Sequence, residues 1–201
     1  VQQVLREGLD LEKGGRKCRV AVLFCDIRGF CRLAERLEAF RLVKLLNLFL
    51  ERMADEVFRR DGMLDKFIGD ALMAVWGVPF EQEHDAWNAM QAGLGMLARL
   101  DSINEHAAEL GLPAVSAGIG IHYGEAVFGA VGSRQRMELT VLGDTVNLAS
   151  RICQQARGGQ LLASAEVVAR ASRTGQIKTR RLSAARLRGI SRTVHLYEVE
   201  G

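Results

Sequence analysis

The sequence predicts an α+β domain, a ferredoxin-like split βαβ sheet covered by helices, with an α/β extension at its C-terminal end. Three observations predict it. Val20 to Cys25 is an unbroken apolar run of strand length that ends at Asp26, the pattern of a buried central strand. Leu42, Leu45, Leu46, Phe49, Leu50, Met53 and Val57 then recur at helical spacing and form one apolar stripe. Beyond that helix, Met63–Ile68 and Ala71–Trp76 are two strand-like runs separated only by Gly69-Asp70, which suits a tight hairpin.

The remaining elements follow in order. Residues 1–19 are polar, contain Gly14-Gly15 and read as a linker, leaving 20–201 as the folded domain. Gly29 follows the first strand, and Asp61-Gly62 ends the first helical region. Pro79 closes the hairpin unit. A second amphipathic helix covers roughly 83–110, with Trp87, Met90, Leu94 and Leu97 on its inner face. Strand-like segments at 115–123 and 125–131 flank Gly124, and another runs over 136–142. Gly143-Asp144 opens a third helix with Asp144 as its N-cap, and Gly158-Gly159 ends it. A strand at 160–163, a helix at 164–171 and strands near 176–182 and 194–199 complete the extension. There is no internal repeat and no low-complexity segment.

Composition narrows the functional classes. With 201 residues and 48% hydrophobic content, the chain can build one domain with a substantial core. Its net charge of +3 provides no strong basic stripe, so no nucleic-acid partner is expected. Arg180, Arg181, Arg186, Arg188 and Arg192 do crowd together; they read as a solvated face, a few of them within reach of a small phosphate ligand. Cys18, Cys25, Cys31 and Cys153 form no C-x-x-C pair and have no histidine at ligand spacing, which argues against zinc. Cys25 reads as a buried thiol, and a reducing, cytoplasmic setting is expected. Uncharged stretches such as Ala71–Phe80 are too short to span a membrane. The chain begins at Val1 rather than Met, so a regulatory or membrane-tethering region outside it is compatible with the sequence.

Several polar residues sit where chemistry is feasible. Asp26 ends a buried strand and Asp70 lies in a hairpin turn, so both expose a carboxylate at the edge of a rigid sheet. Two such carboxylates brought together repel unless a cation lies between them, and oxygen ligands favour Mg²⁺ or Mn²⁺ over zinc. Read alone, Asp26 serves equally as a helix cap and Asp70 as a turn residue. Strand alternation puts Lys66 on the face of Leu64 and Ile68, where an ammonium needs a partner: Asp65, a carboxylate of another strand, or a ligand. In the helix after Gly143, Val146, Ala149, Ile152, Cys153 and Ala156 form the buried stripe. Asn147 and Arg151, four residues apart, share its polar side. An amide and a guanidinium so placed can grip phosphate or ribose oxygens, or simply face solvent. Gly118-Ile119-Gly120 and Gly129–Gly132 match no phosphate-binding loop pattern, and no serine nucleophile elbow is visible. His84, His106, His122 and His195 are scattered and read as structural or surface residues.

Three motifs then occur in a telling order. They are Phe24-Cys25-Asp26-Ile27-Arg28-Gly29-Phe30, Lys66-Phe67-Ile68-Gly69-Asp70 and Gly143-Asp144-Thr145-Val146-Asn147-Leu148-Ala149-Ser150-Arg151. Together they resemble the class III adenylyl/guanylyl cyclase catalytic domain over about residues 18–200. The resemblance implies the class III nucleotide cyclase fold and a set of roles. Asp26 and Asp70 would bind two Mg²⁺ or Mn²⁺ ions per active site, with the Ile27 carbonyl an extra ligand. Lys66 and Thr140 would read the purine: a lysine donor suits adenine N1, and threonine can accept from the 6-amino group. This Lys/Thr pair points to subclass IIIb, often reported as bicarbonate-responsive, so bicarbonate stands as a candidate regulator. Asn147 would orient the ribose and Arg151 would neutralise charge on the α-phosphate. Arg188, in Leu187-Arg188-Gly189, takes the place of a triphosphate-binding lysine, and Arg134 or Arg136 would touch the β- and γ-phosphates. Cys31 replaces the usual threonine or serine.

The implied reaction converts ATP to 3′,5′-cyclic AMP and pyrophosphate through attack of the ribose 3′-oxygen on the α-phosphorus, assisted by two metal ions. It makes the chain a phosphorus-oxygen lyase of intracellular signal transduction. In the family, metal residues come from one protomer and purine and transition-state residues from the other. A chain carrying both sets implies a homodimer with two complete sites. The rival readings are a guanylyl cyclase, which Lys66 argues against, and a catalytically silent dimerisation or regulatory module, which the presence of Asp26, Asp70, Asn147 and Arg151 argues against. The signature of a diguanylate cyclase is absent, and a nucleic-acid-binding module would rest on the C-terminal arginines alone.

Overall fold

Alternation along the first apolar run feeds two separate cores. In the computed structural model, which describes residues 15–133, 135–190 and 193–200, the chain runs β1 (Arg16–Ile27), α1 (Phe30–Arg36), α2 (Ala39–Arg59), β2 (Met63–Ile68), β3 (Ala71–Trp76), α3 (Asp85–Ala98) and α4 (Leu100–Glu109). It continues through β4 (Ala117–Ser133), β5 (Arg136–Leu142), α5 (Asp144–Gln155), β6 (Gln160–Ser164), α6 (Ala165–Ala171), β7 (Lys178–Arg181), β8 (Ala185–Arg186), β9 (Thr193–Val194) and β10 (Leu196–Glu200). The main sheet has the order β2-β3-β1-β4-β6-β10-β7, with β5 paired to β4 and β8–β9 forming a small ribbon. Ala21, Leu23 and Cys25 pack on one face with Phe49, Met53 and Met90. Val20, Val22 and Phe24 pack on the other with Ala149 and Cys153. A strand covered on both faces has no polar side, hence the unbroken run; each large apolar side chain buried there contributes roughly 1.5–3 kcal/mol. Among the described residues, no helix is long and apolar enough to cross a membrane.

The α+β architecture stands as expected, and several boundaries move. β1 begins at Arg16, because Arg16–Arg19, expected in the linker, pair with Glu125–Phe128 of β4. Backbone pairing asks nothing of side-chain polarity, so a basic stretch can extend a strand unannounced. Residues 1–14 lie outside the described residues. The helix expected over 83–110 is two helices broken at Arg99, whose guanidinium pairs with the buried Glu56 of α2. On α3 the buried face is small (Ala86, Ala89, Ala92 and Gly93 beside Met90 and Met96), while Trp87, Leu94 and Leu97 are only partly buried. A Cβ at Gly93 would strike the Leu161 side chain, so the small residues set how closely helix and sheet approach.

β4 is one continuous strand through Gly124 rather than two. That glycine is not a turn; a Cβ there would lie 2.7 Å from Thr145 Oγ1, so its absence lets α5 lie against the sheet. Thr145 donates from there to the Glu125 carbonyl at 2.5 Å. The N-cap of α5 is Gly143, at φ 138, with Asp144 the first helical residue and no side-chain capping bond. The positive φ favours glycine at the cap position, which displaces Asp144 from it.

Candidate active site

Two polar corners are built on this sheet. The first lies where β1 ends. Asp26 is opposite Ala71 of β3, and Asp70 immediately precedes Ala71 in the two-residue turn of the β2–β3 hairpin. Gly69 takes φ 62 there, a left-handed conformation that costs glycine nothing. The register therefore brings the two carboxylates together. Burial pushes the Asp70 carboxyl up to about 6, and the hydrogen bond with Asp26 and its charge push the same way. Among the described residues, Arg28 is the one cation paired with either carboxylate: its Nη2 lies 2.9 Å from Asp26 Oδ2, and it also donates to Cys153 Sγ of α5 at 3.5 Å. Sequence reasoning missed Arg28, although a basic residue two positions beyond a strand-terminal acid is a readable signal. The donor set at this corner is all oxygen, Asp26, Asp70 and the adjacent Ile27 backbone, and its mutual repulsion fits a hard divalent cation. Among the described residues there is no cluster of three or more His, Cys, Asp or Glu side chains, so the remaining ligands of such a cation would be backbone, water or substrate oxygens.

The second corner is organised by a β-bulge. Leu64 pairs with Ala74, but Lys66 pairs with Met73, leaving Asp65 as an extra residue in β2. Ala74 belongs to the core under α2 and α3, whereas Met73 belongs to the core under α5. Lys66 thus lies on the face opposite Leu64, correcting the strict alternation expected from sequence; the inserted residue flips the phase. Its Nζ sits 3.6 Å from Asp65 Oδ2 and 3.3 Å from Glu138 Oε2 of β5, so both kinds of protein partner foreseen for it are present. Thr140 Oγ1, on β5 and buried, donates to the same Asp65 Oδ2 at 2.9 Å. In a flat sheet the order of strands would hold β2 and β5 roughly 19 Å apart, four spacings of about 4.8 Å. The sheet must curl for these residues to meet. Burial raises the Asp65 carboxyl above its usual range, opposed by the bond from Thr140 and the charge of Lys66.

The other expected residues take simpler positions. Asn147 is exposed on α5, and Arg151, half-buried, donates to Gln154 of its own helix at 2.8 Å. Among the described residues, no hydrogen bond or ion pair joins either of them to Asp26, Asp70, Lys66 or Thr140. Arg136 pairs with Glu138 at 2.7 Å and so connects to Lys66 through a shared carboxylate. Arg188 is exposed in the turn beside Gly189, and Arg134 lies outside the described residues. Arg180 pairs with Glu198 and lies 3.8 Å from Glu200, consistent with a solvated charged face. The histidines stay away from both corners: His122 bonds Ser164 at 2.8 Å, His84 lies 3.2 Å from Thr174, His106 pairs with Glu109 and His195 with Arg181. All four cysteines are free thiols, and burial pushes the Cys153 thiol up to about 12.

This fold, with polar corners at the end of β1 and on the β2 bulge, is the fold of the nucleotidyl cyclases. It matches the crystal structure of the adenylyl cyclase CyaB from P. aeruginosa with a TM-score of 0.87 and 32% identity, covering 92% of this chain and 95% of that one. It matches the guanylyl cyclase Cya2 with a TM-score of 0.86 and 33% identity, covering 94% of each chain. The chain belongs to the adenylate and guanylate cyclase catalytic domain family, whose sequence model it matches over residues 13–201. It is 32% identical to adenylate cyclase 1 of Rhizobium meliloti, a match covering all of this chain and 31% of that protein. It is 34% identical to an adenylate cyclase of Anabaena cylindrica over 90% of this chain and 37% of that one. The chain spans about a third of the length of these curated relatives.

Proposed function

We propose that this domain is an adenylyl cyclase that converts ATP to 3′,5′-cyclic AMP and pyrophosphate. The similarity to CyaB and to Cya2 is nearly equal, so the choice of purine rests on this chain's own residues. One observation carries it: Lys66 and Thr140, from different strands, meet on a single buried carboxylate, Asp65. That places a donor and an acceptor side by side, the complement of adenine N1 and its 6-amino group.

The other roles are those that membership of the cyclase family suggests for these residues. Mg²⁺ or Mn²⁺ held by Asp26, Asp70 and the Ile27 carbonyl would supply Lewis-acid chemistry to the phosphates and the 3′-hydroxyl. Asn147 and Arg151, presented one helical turn apart, orient the ribose and meet charge on the α-phosphate. Arg188 and Arg136 are assigned to the β- and γ-phosphates, as is Arg134, which lies outside the described residues. Nothing in this set needs a covalent intermediate; positioning and preorganised charge do the work. Since Asn147 and Arg151 are not joined to the carboxylate corner of their own chain, we assign them to the site of a second copy, as a homodimer. Phe67, Ile68, Val131, Met137 and Leu142, all large, apolar and at least 42% exposed, support such a contact. The free thiols and ATP as substrate support a cytoplasmic location.

The test is cyclic nucleotide formation from ATP and from GTP by the purified chain, with Mg²⁺ or Mn²⁺ and with or without bicarbonate. The expected result is cyclic AMP, with kcat/KM for ATP at least about tenfold above that for GTP. Equal or inverted preference would overturn the reading.

A further inference from the structure

We infer that Asp65 sets the purine choice, by fixing the direction of the hydrogen bond that Thr140 offers to the base. The inference rests on the adenylyl reading and deepens it.

A threonine hydroxyl is ambivalent: it can donate to guanine O6 as readily as it accepts from the adenine 6-amino group. On its own it discriminates poorly. Here its single proton is already committed, donated to Asp65 Oδ2 at 2.9 Å. What remains on Thr140 Oγ1 is lone pairs, which attract an amino group and repel a carbonyl oxygen. The side chain of Asp65 is 0% exposed, so no solvent competes for the bond from Thr140. A buried carboxylate holds a hydroxyl proton firmly, because losing that donor would leave part of its charge unmet. Lys66 Nζ, 3.6 Å from the same Oδ2, keeps that oxygen an acceptor and so keeps the direction of the Thr140 bond. The bulge makes this possible: as the extra residue of β2, Asp65 lies beside Lys66 near one point instead of alternating away from it. Asp65 need not touch the base. It is a positioning residue that acts through Thr140.

The test measures kcat/KM with ATP and with GTP for the full chain and its Asp65→Ala, Asp65→Asn, Thr140→Val and Asp65→Ala/Thr140→Val variants. Freeing the hydroxyl in Asp65→Ala should lower the ATP/GTP ratio about tenfold, mainly through a gain in GTP use. Asp65→Asn, whose amide oxygen can take the place of Oδ2 next to Lys66, should hold the ratio to within about twofold. With Thr140→Val already present, Asp65→Ala should not change the ratio further. Asp65→Leu, apolar and close in shape, replaces the alanine variant if that chain melts early. An unchanged ratio in both Asp65→Ala and Asp65→Leu would reduce Asp65 to a structural brace and overturn the inference. So would an equal fall of the ratio in the valine background, since Asp65 would then not act through Thr140. A wild-type chain that prefers GTP or turns over neither nucleotide would instead overturn the adenylyl reading, and that outcome is read before any variant.

Discussion

At the end of β1, among the described residues, only one of two neighbouring carboxylates, Asp26, is paired with a guanidinium; at the bulge of β2, two carboxylates are divided among one ammonium, one guanidinium and one hydroxyl. The first corner is left short of positive charge; burial, joined by the hydrogen bond and charge of Asp26, pushes the Asp70 carboxyl up to about 6. The second is balanced within the chain. The contrast separates two kinds of preparation. A site that recruits a small, strongly charged partner keeps its own groups in mutual conflict until the partner arrives. A site that reads a neutral base settles its charges beforehand, so that hydrogen-bond direction is the only variable left.

The largest effect is expected at the carboxylate corner. Asp26→Ala should lower cyclic AMP formation about a thousandfold or more, since no other side chain there can take its place. Mixing that chain with an Asn147→Ala chain should restore about a quarter of normal activity, from random pairing into dimers with one intact site in two. No recovery would show that each chain completes its own site. At the bulge corner, Lys66→Met keeps the stem and removes the donor. We expect kcat/KM for ATP to fall about 10–100-fold, with a lower melting temperature because Asp65 loses its nearest cation. A fall equal to that of Asp26→Ala would erase the distinction between the corners.

The smallest effect is on stability. The folded-state pKa of Asp70, about 6, is above its reference of 3.8, so the stability this group contributes is present below pH 3.8 and is lost as pH rises through 6. Asp70→Asn cannot ionise and escapes that loss. In EDTA it should melt about 2–4 °C above wild type at pH 7.5, a modest figure because the carboxylate is partly exposed and screened. The gain should vanish near pH 4. A gain that persists at pH 4 would assign the effect to something other than charge.

Much of this was legible in the chain. The limits of β2, β3 and β5 match the runs read from sequence, because turn residues such as Asp61-Gly62, Gly69-Asp70 and Gly143 mark their ends. Asp26 and Asp70 were visible as acids at a strand end and in a turn. The bulge at Asp65 was not: one inserted residue leaves no trace in Met63-Leu64-Asp65-Lys66, where the apolar pattern is already broken by two charges. The break at Arg99 was hidden for a similar reason, since the apolar pattern of α3 continues into α4 and the partner of Arg99, Glu56, is far away in sequence. Glu138 gains meaning only once the sheet curls and brings β5 to Lys66, and curvature is a property of packing rather than of any local string.

The extra residue in β2 has a consequence for how this domain can change over generations. A position with no counterpart on the neighbouring strand can be exchanged while every other pair in the hairpin keeps its register. The carboxylate that binds Thr140 could thus be altered by a single codon without shifting Asp70, five residues later on the same hairpin. Nucleotide preference would then drift while the machinery of bond formation stays under selection.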